Sequence, residues 1–318
     1  MESSNESSGI SGNSGAKKIG AGILLSRLAG LLRESLLRSV LGLGPAADAF
    51  AAALRIPNLL QNLLGEGSLS SSFIPVYSKL LSEGKEKEAG DAAGAVASLL
   101  IAFTGALTLV GILIARPIAK ILTPGFTSEK LDLTADLIKI TTAGIGFLVL
   151  AAWCLGVLNS HRKFFLSYVA PVIWNAAQIV ILLIAISKDW DPARAAKAAA
   201  WGLFLGGIIQ LLFQFFGVLK LRTKIRFSFS WKNEHVREII KRFNPTILGR
   251  GVVQISAYFD LVLASLLVTG AVAALMSAQV LYILPISLFA MSIAASELPE
   301  MSRITDNQHL GTRLNKGI

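Results

Sequence analysis

The chain has 318 residues, of which 53% are hydrophobic and 16% charged, with a mean hydropathy of +0.62 and a net charge of +10. A soluble domain carries about 25% charged residues, so this composition belongs to the membrane class. The positive balance does not indicate nucleic acid, because the basic residues sit between apolar runs and are not gathered on one soluble face.

Residues 1 to 18 open with a serine-, glycine- and asparagine-rich stretch and read as a disordered tail. Lys17 and Lys18 precede an apolar run that Arg27 and Arg33 interrupt, and no small-residue cleavage site comes after it. The run therefore reads as an uncleaved first span. At about 100° per residue, Glu34 and Arg38 fall within about 20° of Arg27, Ser26 and Arg33 form a second stripe, and leucines fill the rest of the helix. A surface-lying amphipathic helix is the alternative for this segment taken alone.

The second segment repeats the arrangement. Asp48, Arg55, Asn62 and Glu66 share a face about 40° wide, provided that the helix runs on through Pro57. Proline removes a backbone donor there, and Gly65 and Gly67 loosen the chain beyond it. In a bilayer these faces must turn from lipid, since an unpaired ion at the centre costs at least about 2.5 to 3.5 kcal/mol.

Beyond a polar connection come five uncharged runs, at 92–115, 140–160, 164–187, 198–219 and 272–296, each long enough to cross the hydrocarbon core. A further span, 244–270, carries Arg250 and Asp260. With the two charged segments the expected total is eight, in an all-α polytopic bundle. Pro171 with Asn175, and Pro285, mark helices expected to kink where neighbours or water satisfy the freed carbonyls. The lone Cys154 lies inside an apolar run and excludes an internal disulfide; His161, His235 and His309 lack metal-ligand spacing.

Basic residues set the orientation. With the N-terminus inside, the inner segments hold Lys17 and Lys18, then Lys79, Lys85 and Lys87, then Arg162 and Lys163, and finally the run from Lys220 to Arg242; the outer loops hold Arg116, Lys120, Lys130, Arg194 and Lys197. That basic run divides six spans from two. It is a topology signal, or a segment lying on anionic headgroups.

No GxxxxGK[ST], HExxH or GxSxG occurs, so neither an enzyme nor a cofactor or metal requirement is indicated. Asp48 and Glu66 are more simply ion partners of Arg55 than a catalytic pair. Many spans with charged inward faces and broken helices describe a secondary transporter working by alternating access, and buried arginines favour an anionic ligand because the guanidinium fork matches phosphate.

The series Ser26-Arg27, Gly30, Arg33, Gly42, Gly44, Asp48-Ala49-Phe50, Ile56-Pro57-Asn58, Glu66-Gly67 and Phe73-Ile74-Pro75-Val76 resembles the MurJ (MviN) family of lipid II flippases in the MOP exporter superfamily. Weaker likeness continues through Thr123-Pro124-Gly125-Phe126, Leu158-Asn159, Pro171 with Asn175, and Gln254-Ile255 with Asp260. The resemblance implies two six-helix lobes about a cationic cavity, with two helices more. This chain would supply residues 19–220 as the first lobe, 221–243 as a basic cytoplasmic linker and 244–300 as the first two helices of the second lobe, with 301–318 as a cytoplasmic tail or truncation point. It would be an incomplete MOP-type transporter in the bacterial inner membrane, with its N-terminus cytoplasmic.

By the same resemblance the ligand is an undecaprenyl-diphosphate-linked peptidoglycan precursor. Arg27 and Arg33 match cavity arginines, with Ser26, Arg55, Asn58, Glu66 and Arg250 as further substrate-binding candidates. Asp48 matches an acidic residue near the outer gate, and Pro57 a break that serves gating. Arg27 could instead pair with Glu34, and Asp48 could cap its own helix. The sequence departs from the family at Gln61, Val280 and Ile283, the first two standing where cavity arginines and the third where an acid is common; Arg55 and Arg250 are the candidate replacements. The alternatives are an exporter of another polyprenyl-diphosphate-linked glycan, or a transport-inactive scaffold recruiting cell-wall synthesis machinery.

Overall fold

The computed structural model describes residues 6–221, 223–229 and 233–282, and the described residues form helices and connecting turns. In chain order these are α1 (Glu6–Leu41), α2 (Pro45–Ala53), α3 (Arg55–Leu64), α4 (Glu66–Ser82), α5 (Glu86–Leu113), α6 (Ala115–Leu122), α7 (Ser128–Ala143), α8 (Ile145–Ser160), α9 (Phe164–Ser187), α10 (Pro192–Leu219) and α11 (Glu234–Ser265). A twelfth, α12 (Ala271–Tyr282), reaches the end of the described residues.

Five stretches are long and apolar enough to cross a bilayer: Glu86–Leu113, Ser128–Ser160, Phe164–Ser187, Pro192–Leu219 and Glu234–Ser265. Their outer faces carry Leu109, Leu113, Leu183, Trp201, Leu205, Phe216 and Leu263 exposed, apolar surface of the kind that a bilayer covers. The chain is a multi-pass membrane protein. The charged leading segments are not among the five, and the run at 272–296 lies mostly outside the described residues, so five of the expected eight crossings are met on length and composition among the described residues.

Three boundaries differ from the sequence reading. α1 begins at Glu6, inside the stretch expected to be disordered. α7 occupies residues read as an outer loop: Thr134, Ala135, Leu137, Ile138 and Thr141 are buried while Asp132, Asp136 and Lys139 face outward, an amphipathic pattern that a search for uncharged runs passes over. α11 begins at Glu234, capped by Asn233, whose side chain accepts from the His235 N–H, so the basic linker is shorter than expected.

The leading charged segments form α1 to α4. α2 and α3 meet at Leu54, where the N–H of Asn58 still reaches the Leu54 carbonyl at 3.0 Å. Pro57 lacks the donor that would have reached Ala53, and the helix breaks there. A second break falls at Gly65, with ψ −145°.

Small residues let the helices approach closely, as interhelical packing in lipid requires. α2 buries Ala46, Ala47, Ala49, Ala51, Ala52 and Ala53. On α10, Gly202 and Gly206 make room for Gln178 and Trp174 of α9. Pro171 frees the carbonyl of Ser167, and the fully buried Gln214 of α10 donates to it at 3.4 Å.

The polar ends separate into two groups. At one end Asp48, Lys130 and Gly270 meet, and Lys197 pairs with Asp136. At the other, Tyr77 meets His161, His235 meets Glu88, and the segment 224–227 lies across Gly90 and Gly94 of α5. The Arg226 N–H donates to the Gly90 carbonyl, and a side chain at either glycine would collide with carbonyls of that segment. The start of the basic linker is thus an extended strap in a Gly-x-x-x-Gly slot.

Candidate functional site: a cationic cavity

Two connected hollows lie among α1, α3, α9, α11 and α12. The larger, about 450 Å³, is bordered by Ser26, Arg27, Gly30 and Arg33 of α1, by Arg55, Asn58, Gln61 and Asn62 of α3, and by Trp174, Asn175, Gln254, Tyr258 and Gln279. Among the described residues, three arginines and no carboxylate border it. The smaller recess, about 130 Å³, shares Arg33, Asn58, Gln61, Trp174 and Val280 with it and continues to Glu34, Arg38, Thr141 and Gln178.

Each arginine is held differently. Arg27 is exposed to the cavity and makes no ion pair among the described residues. Arg33 sits 5.4 Å from the centre of the Trp174 ring and 3.7 Å from a Glu34 oxygen. Trp174 is fixed in turn by its indole N–H, which donates to the Leu203 carbonyl at 3.3 Å. Arg55 donates through Nη2 to Gln279 Oε1 at 3.2 Å, and the Tyr258 hydroxyl donates to the Arg55 carbonyl. Arg55 Nε and Asn175 Oδ1 are buried without a partner, so the walls retain donor and acceptor capacity.

The other sequence candidates divide. Ser26 and Asn58 border the large cavity, and Pro57 is buried beneath the recess it borders. Glu66 opens α4. Arg250 is exposed on α11 with its guanidinium against Gly67 and borders neither hollow. Gln61 and Val280 border both hollows, so the neutral residues at the departing positions are part of the walls. Arg38, Trp174, Gln178, Tyr258 and Gln279 were not singled out as site residues. Arg38 alone had a signal, its place on one stripe with Glu34.

Asp48 leaves the stripe it shares with Arg55 and turns to the end of the bundle where Lys130 and Gly270 lie. Only 1% exposed, it accepts from Lys130 Nζ at 2.7 Å and from the backbone N–H groups of Gly270 at 2.8 Å and Ala273 at 2.9 Å. It does not cap its own helix: that helix starts at Gly44 and Pro45, with no side-chain cap bond. It caps α12 from across the bundle, where a carboxylate meets unpaired N–H groups and the positive end of the helix dipole. Gly270 has φ +99° and lies against the Leu43 carbonyl, which a side chain would displace. Lys130 also lies 4.0 Å from the centre of the Phe126 ring.

A helical membrane bundle with broken helices and a polar, cation-bordered central hollow is the architecture of a MOP-type transporter, and solved structures agree. The chain superposes on "Lipid II flippase MurJ, inward closed conformation" with a TM-score of 0.73 at 27% identity, covering 91% of this chain and 59% of that one. It matches the fold of a MOP superfamily transporter from Pyrococcus furiosus at a TM-score of 0.67 and 19% identity, covering 88% and 61% of the two chains. The family model for lipid II flippase MurJ matches residues 37–318, and the chain belongs to that family. Among curated relatives, the probable lipid II flippase MurJ of Rhizobium tropici is 31% identical over 93% of this chain and 56% of its own length. That of Bdellovibrio bacteriovorus is 32% identical over 89% and 54%. The chain spans a little over half the length of the curated relatives it matches.

Proposed function

We propose that this protein contributes the first half of a flippase that carries lipid II, a polyprenyl-diphosphate-linked peptidoglycan precursor, across the bacterial inner membrane by alternating access. The observation that carries this reading is the large cavity bordered, among the described residues, by Arg27, Arg33 and Arg55 and by no carboxylate. Guanidinium groups bind phosphate oxygens in pairs, and their attraction is strongest where lipid and protein exclude water. Ser26 and Asn58 add neutral hydrogen-bonding groups for the sugar and peptide portion.

Asp48 and Pro57 serve gating in this reading. Asp48 ties α12 to α2 and α7 at the outer end, and the break over Pro57 lets α2 hold that latch while α3 lines the cavity. The N-terminus and the basic end lie in the cytoplasm, by the positive-inside rule. Glu66 and Arg250 belong to the inner half of the pathway, with Arg250 outside the two hollows.

A second reading, a scaffold that recruits cell-wall synthesis machinery without transporting, is favoured by the neutral Gln61 and Val280 in the cavity wall. Complementation of a flippase-depleted bacterium by the complete gene separates the two. Rescue that is lost with Arg33→Ala supports transport; failure of the unaltered gene to rescue, with the protein present in the membrane, removes it.

A further inference from the structure

We propose that Arg38, together with Arg33, forms a second phosphate subsite in the inner recess, so that the two phosphates of a diphosphate lipid are held by different arginines. This rests on the reading of the large cavity as an anion site and adds a residue and a position to it.

Glu34 Oε1 accepts from both Nε and Nη2 of Arg38, each at 2.9 Å, while its Oε2 stands 3.7 Å from Nη2 of Arg33. One carboxylate therefore serves two guanidiniums, and the cluster keeps a net positive charge. Arg38 Nη1 is buried and has no partner. A simple ion pair between residues i and i+4 on a wet surface would leave that N–H to water. Here Arg38 borders a confined recess while that N–H is shut from solvent, and an unmet charged donor so enclosed is costly unless something else meets it.

The rest of the recess supplies no competing anion. Gln61, Thr141, Gln178 and Val280 are neutral, and Glu34 is its one carboxylate. Arg33 borders both hollows. A phosphate held by Arg27 and Arg33 in the large cavity has an adjoining phosphate within reach of the recess. There Arg38 and the far side of Arg33 meet it. A monophosphate fills only the first position, and Glu34 positions both guanidiniums while limiting how tightly the second is held.

The test uses the full-length protein in detergent, with farnesyl diphosphate and farnesyl monophosphate as probes in equilibrium binding. Arg38→Gln is expected to weaken the diphosphate about tenfold, the worth of one charge-assisted contact, and the monophosphate less than about twofold. Arg33→Gln is expected to weaken both. Glu34→Gln is expected to tighten the diphosphate several-fold, whereas a carboxylate that merely stabilised α1 would lower the melting temperature and leave affinity unchanged. Equal weakening of both probes by Arg38→Gln, or no effect on either, overturns the subsite. If Arg33→Gln still weakens both probes in that case, the large-cavity reading stands. If neither arginine matters for either probe, that reading falls with the subsite.

Discussion

Lys130 and Asp48 meet 2.7 Å apart, 8% and 1% exposed, although 82 residues separate them in sequence. The pair joins α7 to α2, and the same carboxylate holds the first N–H groups of α12. Three elements are closed by one side chain.

Replacing Asp48 by alanine strands a buried ammonium and two helix N–H groups, and should destabilise by about 3 to 5 kcal/mol. Lys130→Met leaves Asp48 two backbone donors and the α12 dipole, and should cost less. The effects of the two substitutions should fall short of adding, because they remove one shared contact. Cys154, the sole cysteine and fully buried, provides the readout. Labelling by a thiol-reactive dye during heating reports unfolding, and equal midpoints for the two single variants would contradict the shared-latch arrangement.

Arg33 and Arg250 should separate in transport. Arg33→Ala removes a cation from the junction of both hollows and should lower complementation at least about tenfold. Arg250→Ala touches neither hollow and should leave it within about twofold. Loss of rescue by the Arg250 variant, at normal membrane levels, would place that side chain on the transport path.

A leucine at Gly94 cannot coexist with the Arg226 carbonyl. Overpacking of this kind costs about 1 to 3 kcal/mol, and here the cheapest relief is to release the strap. Limited trypsin digestion should then cut at Lys224 and Arg226 faster than in the unaltered protein, with the transmembrane helices intact. An unchanged cleavage rate would mean that the strap does not occupy the slot in solution.

His161 lies in the turn between α8 and α9, with its Nε2 3.1 Å from the buried Tyr77 hydroxyl. Burial holds its pKa below the ordinary 6.5, Lys163 adds to the depression, and Glu86 opposes it. Below about pH 6.5 the unfolded chain takes up the proton before the folded one does, so stability is full above that pH and declines as pH falls. Melting temperature should therefore drop between about pH 7 and pH 5, and His161→Gln should flatten that drop. Curves of the same slope for both proteins would assign the loss to other groups.

The pairing of Glu34 with Arg38 was legible because a helix forces residues three and four apart onto one face; Arg33, on the other stripe, approaches Glu34 only as its chain neighbour, and Arg27 pairs with neither among the described residues. α2 and α3 were less so. A stripe drawn through Pro57 put Asp48 beside Arg55, but the break at Leu54 lets the two side chains part, Asp48 to Lys130 and the start of α12 and Arg55 to the large cavity. α7 escaped notice because charges recur along it: Asp132, Asp136 and Lys139 face outward and Lys130 turns in to Asp48, so the segment contains no long uncharged run. Trp174 and Gln178 could not have been picked out from α9 alone. What exposes them to the cavity is the pair of glycines on α10, and that contact is visible only once the helices are packed.

The seat of the strap has a mechanical consequence. Because residues 224–227 are wedged against α5, the start of the basic stretch is fixed to the bundle and is not a loose tether. The anchored strap holds the chain near the N-terminal root of α11, and the bonds from Asp48 hold the start of α12 at the other end of the bundle, so this pair of helices is tethered at both extremities.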